Sequence, residues 1–233
     1  MAEDPAIPLG APVDTAPARR PEPTTLKGRH VRLVPFDAAK HSASLFALSH
    51  GPEKEALWAY LSPAPFPDEA AFTAYYAEAA KKADPLLFVI EETGSGRAVG
   101  HATYMRIEPA QRVIEVGNIL YTPALQRTRG ATEAMYLMAR HAFEALGYRR
   151  YEWKCNALNA PSRQAAARLG FTFEGLFRQH MIVKGRNRDT AWFSLLDHEW
   201  PRARAAFEAW LALDNFDENG RQIRRLEDIR AGL

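Results

Sequence analysis

The sequence predicts an α+β fold, a mixed and mostly antiparallel central sheet with flanking helices. Three observations carry this. Residues 86–91 (LLFVIE) and 98–107 are strand-like and are separated by TGSG at 93–96, which reads as a β-hairpin. A second hairpin is expected where 171–183 and 187–196 flank the turn KGR at 184–186. Between the hairpins, 113–121 (VIEVGNILY) reads as a strand, the run after it has helical spacing, and 148–155 (YRRYEWKC) alternates again. A strand, a helix and a strand in that order make a parallel pair.

The chain has 233 residues, enough for one large domain or a domain with extensions. Hydrophobic residues make up 47% and charged residues 25%, which is the composition of a soluble globular protein. A net charge of +2 gives no case for a nucleic acid or an anionic membrane surface as partner. Cys155 is the single cysteine, so no intrachain disulfide framework exists, and a reducing compartment fits. No apolar run approaches the ~18 residues of a transmembrane helix. The N-terminus lacks the charged start and apolar core of a signal peptide, and the expected location is cytoplasmic.

Three segments are expected: a flexible tail over 1–24, a domain over 25–197, and a helical extension over 198–233. The tail is rich in Pro and Ala and has no periodicity. A short strand follows at 29–34, then a helix at 38–48 capped by Asp37. Residues 51–67 contain four prolines and the aromatics Trp58, Tyr60 and Phe66, which line a site or cover the core edge. Asp68 and Glu69 open a helix to about residue 82. Later, Pro161 lies in the first turn of a helix that ends at Leu169, with Gly170 just beyond. Helical patterns over 201–213 and 221–233 close the chain, the second with Ile223, Leu226 and Ile229 on one side.

The stretch 126–134 (QRTRGATEA) joins the strand 113–121 to its helix. Small residues at Gly130, Ala131 and Thr132 leave backbone N–H groups and the positive end of the helix dipole accessible. Arg127 and Arg129 add charge there. Such a turn suits a phosphate or pyrophosphate, with Gly130 allowing close backbone approach; a plain turn is the alternative.

This stretch, the element order, and NALNAPSRQAAARLGF at 156–171 together resemble the GNAT superfamily of acyl-CoA-dependent N-acyltransferases. The likeness is greatest to the branch containing ribosomal-protein N-terminal acetyltransferases, and it covers residues 26–197. The resemblance implies acetyl-CoA as co-substrate, bound in a V-shaped split between the strands 113–121 and 148–155. It implies a primary-amine acceptor, a small molecule or a peptide; the sequence itself offers no His, Cys, Asp or Glu spacing that suggests a metal. In the family's pyrophosphate loop, Gln or Arg is followed by two variable residues, Gly, a variable residue, and Gly or Ala. Gln126 and Ala131 match; Arg129 stands at the first Gly position and Gly130 follows it. The implied cofactor contacts are Gln126, at the loop's first position, and the backbone N–H groups of Arg127, Thr128, Arg129, Gly130, Ala131 and Thr132. Ile119, Leu120 and Tyr121 would pair with the pantetheine arm like another strand. Asn159 would hydrogen-bond that arm, or cap its helix, and Arg163 would reach a CoA phosphate, or face solvent.

Acyl transfer to an amine makes definite demands. A lysine-type amine has a pKa of ~10.4 and an α-amino group ~8, so a proton must be removed. Glu115 is the first candidate base: it lies inside an apolar run, where burial would raise its pKa. An ion-paired or outward-facing carboxylate is the alternative. A strand N–H near Asn118 and Ile119 would serve the carbonyl oxygen. Ser162 matches the family's Asn-x-x-Ser and would donate to the leaving sulfur, or cap its helix. Glu174 is the second candidate base, with a structural carboxylate as the favoured alternative; Cys155 reads as a structural thiol, and His180 as site-lining or hairpin surface. A non-catalytic acyl-CoA sensor on the same fold and a nucleotide-binding interaction protein are the competing functions. A homodimer is left open.

Overall fold

The computed structural model describes residues 9–233, so residues 1–8 of the expected tail lie outside the described residues. The described strands are β1 (Leu26–Lys27), β2 (Val31–Pro35), β3 (Leu86–Glu92), β4 (Ala98–Glu108), β5 (Val113–Tyr121), β6 (Arg150–Asn156), β7 (Thr172–Val183) and β8 (Arg186–Leu196). They form one sheet in the order β1-β2-β3-β4-β5-β6-β8-β7. The pair β5–β6 is parallel, as the sequence predicts, and every other neighbour is antiparallel.

Helices cover both faces. On one side α1 (Ala38–Ser49) and α2 (Glu69–Ala79) pack Leu45, Phe72 and Tyr76 against Leu87, Val89 and Leu120. On the other side lie α3 (Arg129–Arg140), α4 (Ala160–Leu169), α5 (Trp200–Leu211) and α6 (Leu226–Ala231). The apolar run of β3 divides between the two cores by strand alternation: Leu86, Phe88 and Ile90 face α3, and Leu87 and Val89 face α1 and α2. Burial of each such side chain contributes about 1.5–3 kcal/mol, which is why a strand apolar on both faces needs helices on both. Asp37 and Asp68 cap α1 and α2 as expected, accepting from backbone N–H groups of the first turn. No helix among the described residues is long and apolar enough to cross a membrane.

Both ends differ from their sequence expectation. The chain is attached to the domain from Ala18 onward, within the stretch expected to be flexible up to residue 24. Ala18 N–H donates to Pro109 O at 3.0 Å, Arg19 N–H to Leu146 O at 2.9 Å, and the Arg19 guanidinium to Ala145 O. Carbonyls at two turns far along the chain supply these partners, and that signal is not local to the tail. At the other end, Trp200, Ala203, Phe207 and Trp210 of α5 belong to the main core, with Trp200 stacked on Phe143 at 5.2 Å. The last helix begins at Leu226, not 221. Residues before it fold back instead: Phe216 bridges to Gln222, and Asn215 bonds both backbone groups of Arg224. Ile223, expected on the buried face, is consequently 65% exposed, whereas Leu226 and Ile229 are buried.

Candidate active site

β5 and β6 run in register from Val113↔Arg150 to Val116↔Trp153 and then part. The divergence begins where β5 carries a bulge. Ala102 of β4 faces both Asn118 and Ile119, and Asn118 adopts φ +48°. Such a bulge bends its strand and increases its twist, here turning the end of β5 away from β6. The edge of β5 from Gly117 to Tyr121 is therefore not paired with β6, while β6 stays paired with β8 through Asn156. This is the V-shaped split, and Ile119, Leu120 and Tyr121 lie along one arm of it.

The turn after β5 is tied down locally. Gln126 Nε2 donates to Tyr121 O (2.9 Å), the Tyr121 hydroxyl to Ala131 O (2.8 Å), and Thr122 Oγ1 to Val99 O (2.6 Å). Arg127 takes φ +61°, and Thr128 caps α3 by accepting from Ala131 N–H at 3.2 Å. Among the described residues, the N–H groups of Arg129 and Gly130 have no hydrogen-bond partner. These are orphan donors at the positive end of a 12-residue helix, the arrangement that favours an anion. Gly130 has a structural duty as well. A Cβ there would lie 2.7 Å from Val31 Cγ1, so the missing side chain lets α3 sit against β2. Thr132 is buried, and its hydroxyl accepts from Arg168 at 3.1 Å.

Three expected site residues gather at the start of α4. Asn159 Oδ1 accepts from Ser162 N–H at 3.2 Å, so Asn159 is an N-cap, and its Nδ2 has no partner among the described residues. The Ser162 hydroxyl accepts from Trp153 Nε1 at 3.0 Å and lies beside Cys155. Burial pushes the Cys155 thiol up, and the Ser162 hydroxyl opposes that shift. A raised thiol pKa in a buried position fits the structural reading of Cys155. Arg163 is exposed and donates to Ala157 O at 3.3 Å.

Glu115 lies on the opposite face of the sheet from Ser162 and is 2% exposed. It is buried and ion-paired, which is one of the two arrangements the sequence leaves open. Its Oε2 accepts from Arg106 at 2.6 Å and from Lys154 at 3.0 Å. Lys154 also reaches Glu152 at 2.6 Å and lies 3.8 Å from the centre of the Trp192 ring. Arg150 then links Glu152 to Glu174, which also accepts from Ser194. A buried carboxylate balanced by two cations is stably held, and its second oxygen is the informative one. Oε1 has no partner among the described residues. It points along β5 at Gly117, where a Cβ would lie 3.4 Å away. The sequence reading missed Arg106 and Lys154. The signal for Lys154 was available, since Arg150, Glu152 and Lys154 alternate along one strand and so share a face.

This face is partly enclosed. Lys184 Nζ at the β7–β8 turn donates to Trp58 O (2.7 Å), and the Tyr60 hydroxyl donates to Leu158 O (3.1 Å). The segment between α1 and α2 thus touches both the hairpin and the loop before α4. Trp58 and Phe66 cover the core edge, while Tyr60 reaches the rim of the split. His180 packs beside the stacked pair of Phe177 and Trp192 and bonds Thr190 at 3.0 Å. Among the described residues, no cluster of three His, Cys, Asp or Glu could hold a metal ion.

A sheet split between two parallel strands, with free donors at a helix start beside it, is the architecture that the resemblance to acyl-CoA-dependent transferases implies. Residues 30–172 match the acetyltransferase (GNAT) domain, and the chain belongs to the GNAT family of acetyltransferases. A GCN5-related N-acetyltransferase from Brucella melitensis is 48% identical over 93% of this chain and 98% of its own, with a TM-score of 0.90. A probable GNAT-family acetyltransferase from Chromobacterium violaceum is 42% identical over 85% of this chain and 100% of its own, TM-score 0.77. Mycobacterium smegmatis RimJ, solved in complex with CoA-disulfide, is 23% identical over 83% of this chain and 91% of its own, and its TM-score of 0.65 speaks for a shared fold. No curated protein matches the chain.

Proposed function

We propose that this acetyltransferase moves the acetyl group of acetyl-CoA directly to a primary amine, a protein N-terminus or a small-molecule amine. One observation carries the reading. The split opens after Val116, ahead of the free donors of Arg129 and Gly130, and the unpartnered Oε1 of Glu115 lies beside Gly117, the first residue of the open edge, on the other face of the sheet.

Acetyl-CoA, when bound, supplies an activated carbonyl. On this reading the backbone of 126–132 and Arg163 hold its phosphates, while the open edge of Ile119, Leu120 and Tyr121 and the free amide of Asn159 hold its pantetheine arm. Glu115 takes the proton that the amine loses as the C–N bond forms and the C–S bond breaks. The strand N–H groups near Asn118 donate to the carbonyl oxygen, and the Ser162 hydroxyl donates to the leaving sulfur. Because Glu115 and Ser162 approach from opposite faces, donor and acceptor meet through the gap with no covalent enzyme intermediate. The free, buried Cys155 fits a cytoplasmic setting.

A library of primary amines, screened with acetyl-CoA and thiol release as readout, tests the proposal. Amine-dependent release is expected. Retained CoA binding with no release from any amine would favour a non-catalytic sensor.

A further inference from the structure

Two arginines beside the first turn of α3 rest on aromatic rings supplied by the C-terminal segment. The Arg129 guanidinium lies 3.7 Å from the centre of the Phe216 ring. Gly220, in the same fold-back, is close enough that a Cβ there would lie 3.6 Å from Arg129 Nη2. Arg168, which bonds Thr132, lies 4.9 Å from the centre of the Trp210 ring. The two rings touch edge to face, with centroids 5.1 Å apart. The hairpin that presents Phe216 is pinned independently: Trp210 Nε1 donates to Gln222 at 2.8 Å, and Asn215 donates to the carbonyls of Trp210 and Arg224.

Among the described residues, neither Arg129 nor Arg168 lies within ion-pair distance of a carboxylate. An arginine in the first turn of a helix also opposes the helix dipole, which favours anions there. An aromatic ring holds the flat face of a guanidinium and leaves its edge donors free, whereas a carboxylate would occupy them. Oriented positive charge with unused donors, beside orphan backbone N–H groups, is complete only with an anion carrying several acceptor oxygens.

We propose that hairpin 213–225 is a side wall of the acyl-CoA phosphate site, and that Phe216 is a positioning residue that aims Arg129 at phosphoryl oxygens. The inference rests on the acyl-CoA reading above and assigns the C-terminal segment a part in it. Trp210 holds Arg168 in the same way from the neighbouring position, but its place in the core makes it unsuitable for a test.

Phe216 is half-buried, so it can be varied without emptying the core. Affinities of wild type, Phe216→Leu and Phe216→Tyr are measured for CoA, dephospho-CoA and pantetheine. Leu keeps apolar bulk and removes the π face; Tyr keeps the face. Phe216→Leu is expected to lose about tenfold in CoA affinity and to bind pantetheine as wild type does, with Phe216→Tyr restoring CoA affinity. An equal loss with dephospho-CoA assigns Arg129 to the pyrophosphate, and a loss confined to CoA assigns it to the 3′-phosphate. A parallel loss for CoA and pantetheine, or no loss for either, overturns the inference and leaves the acyl-CoA reading intact. A wild-type protein that binds no CoA overturns both.

Discussion

On the α3 side of the split, the orphan backbone donors of Arg129 and Gly130 come from one short turn of chain within 126–132. On the other side, Glu115, Arg106, Lys154 and Glu152 come from three strands and meet only through sheet register. The first kind of site depends on local conformation, which a short sequence pattern can specify. The second depends on pairing between β4, β5 and β6, which no short pattern contains. The two sides should therefore fail differently when altered: the first through backbone geometry and packing, the second through charge.

The largest effect is expected on the charge side. Glu115→Gln keeps the shape and some hydrogen bonding to Arg106 and Lys154 but cannot take the proton of the amine. Turnover should fall by roughly 10²–10⁴-fold, the usual range for a positioned base, with CoA affinity nearly unchanged. The deficit should shrink at high pH, where more of the amine is already neutral. Comparison of pH–rate profiles with one acceptor amine checks this. Equal rates and matching profiles would take Glu115 out of the mechanism and leave catalysis to the positioning of a neutral amine.

His101 provides a second contrast, in stability. It is buried on β4, on the same face as Glu115, with the Tyr76 hydroxyl 2.8 Å from Nε2. Burial pushes its pKa down to about 4, with the backbone of Asn118 opposing the shift. Above pH 6.5 the ring is neutral in both folded and unfolded chains and contributes no pH dependence. Between 6.5 and 4 the unfolded chain binds the extra proton, so stability falls as pH falls, by about 3 kcal/mol across the window. Urea titrations at pH 7 and pH 4 should show His101→Gln free of this component. Parallel losses in variant and wild type would assign the pH dependence to other groups.

On the backbone side the expected effect is smaller. If Gly130 served only the close approach of a phosphate, Gly130→Val would damage cofactor binding more than folding. The 2.7 Å approach to Val31 changes that expectation, because the added side chain also pushes α3 from β2. A loss of about 1–3 kcal/mol in stability should accompany the loss of CoA affinity. Thermal melts with and without CoA separate the two effects, and a variant as stable as wild type would contradict the packing role.

What could be read in the sequence follows the same division. The strand 113–121 matches β5, and the helix opened by Asn159 and Pro161 and closed by Gly170 matches α4, because caps and turns are set by a few adjacent residues. The glycine-bearing turn was legible for the same reason. Glu133 was not. Its carboxylate accepts from the N–H groups of Arg29, His30 and Val31, about a hundred residues earlier, and its own neighbourhood looks like any helix. Phe216 was equally hidden, since the polar break 214–220 carries no sign that its one aromatic faces Arg129.

The smallest expected effect concerns Asn159, where the two kinds of role coincide in one side chain. Its Oδ1 caps α4, and its Nδ2 is free to donate to a pantetheine carbonyl. Asn159→Ala removes both and should cost about 1 kcal/mol of stability in addition to CoA affinity. Asn159→Asp separates them. Aspartate caps a helix as well as asparagine, and its charge suits the helix start, so stability should hold. A carboxylate cannot donate, so one neutral hydrogen bond to the arm is lost, worth about 0.5–1.5 kcal/mol or roughly two- to thirteenfold in affinity. Titration with CoA at about 0.5 M salt screens repulsion between the new charge and the phosphates. If Asn159→Asp then binds CoA as wild type does, Asn159 is a cap alone, and the arm is held by the open edge of β5.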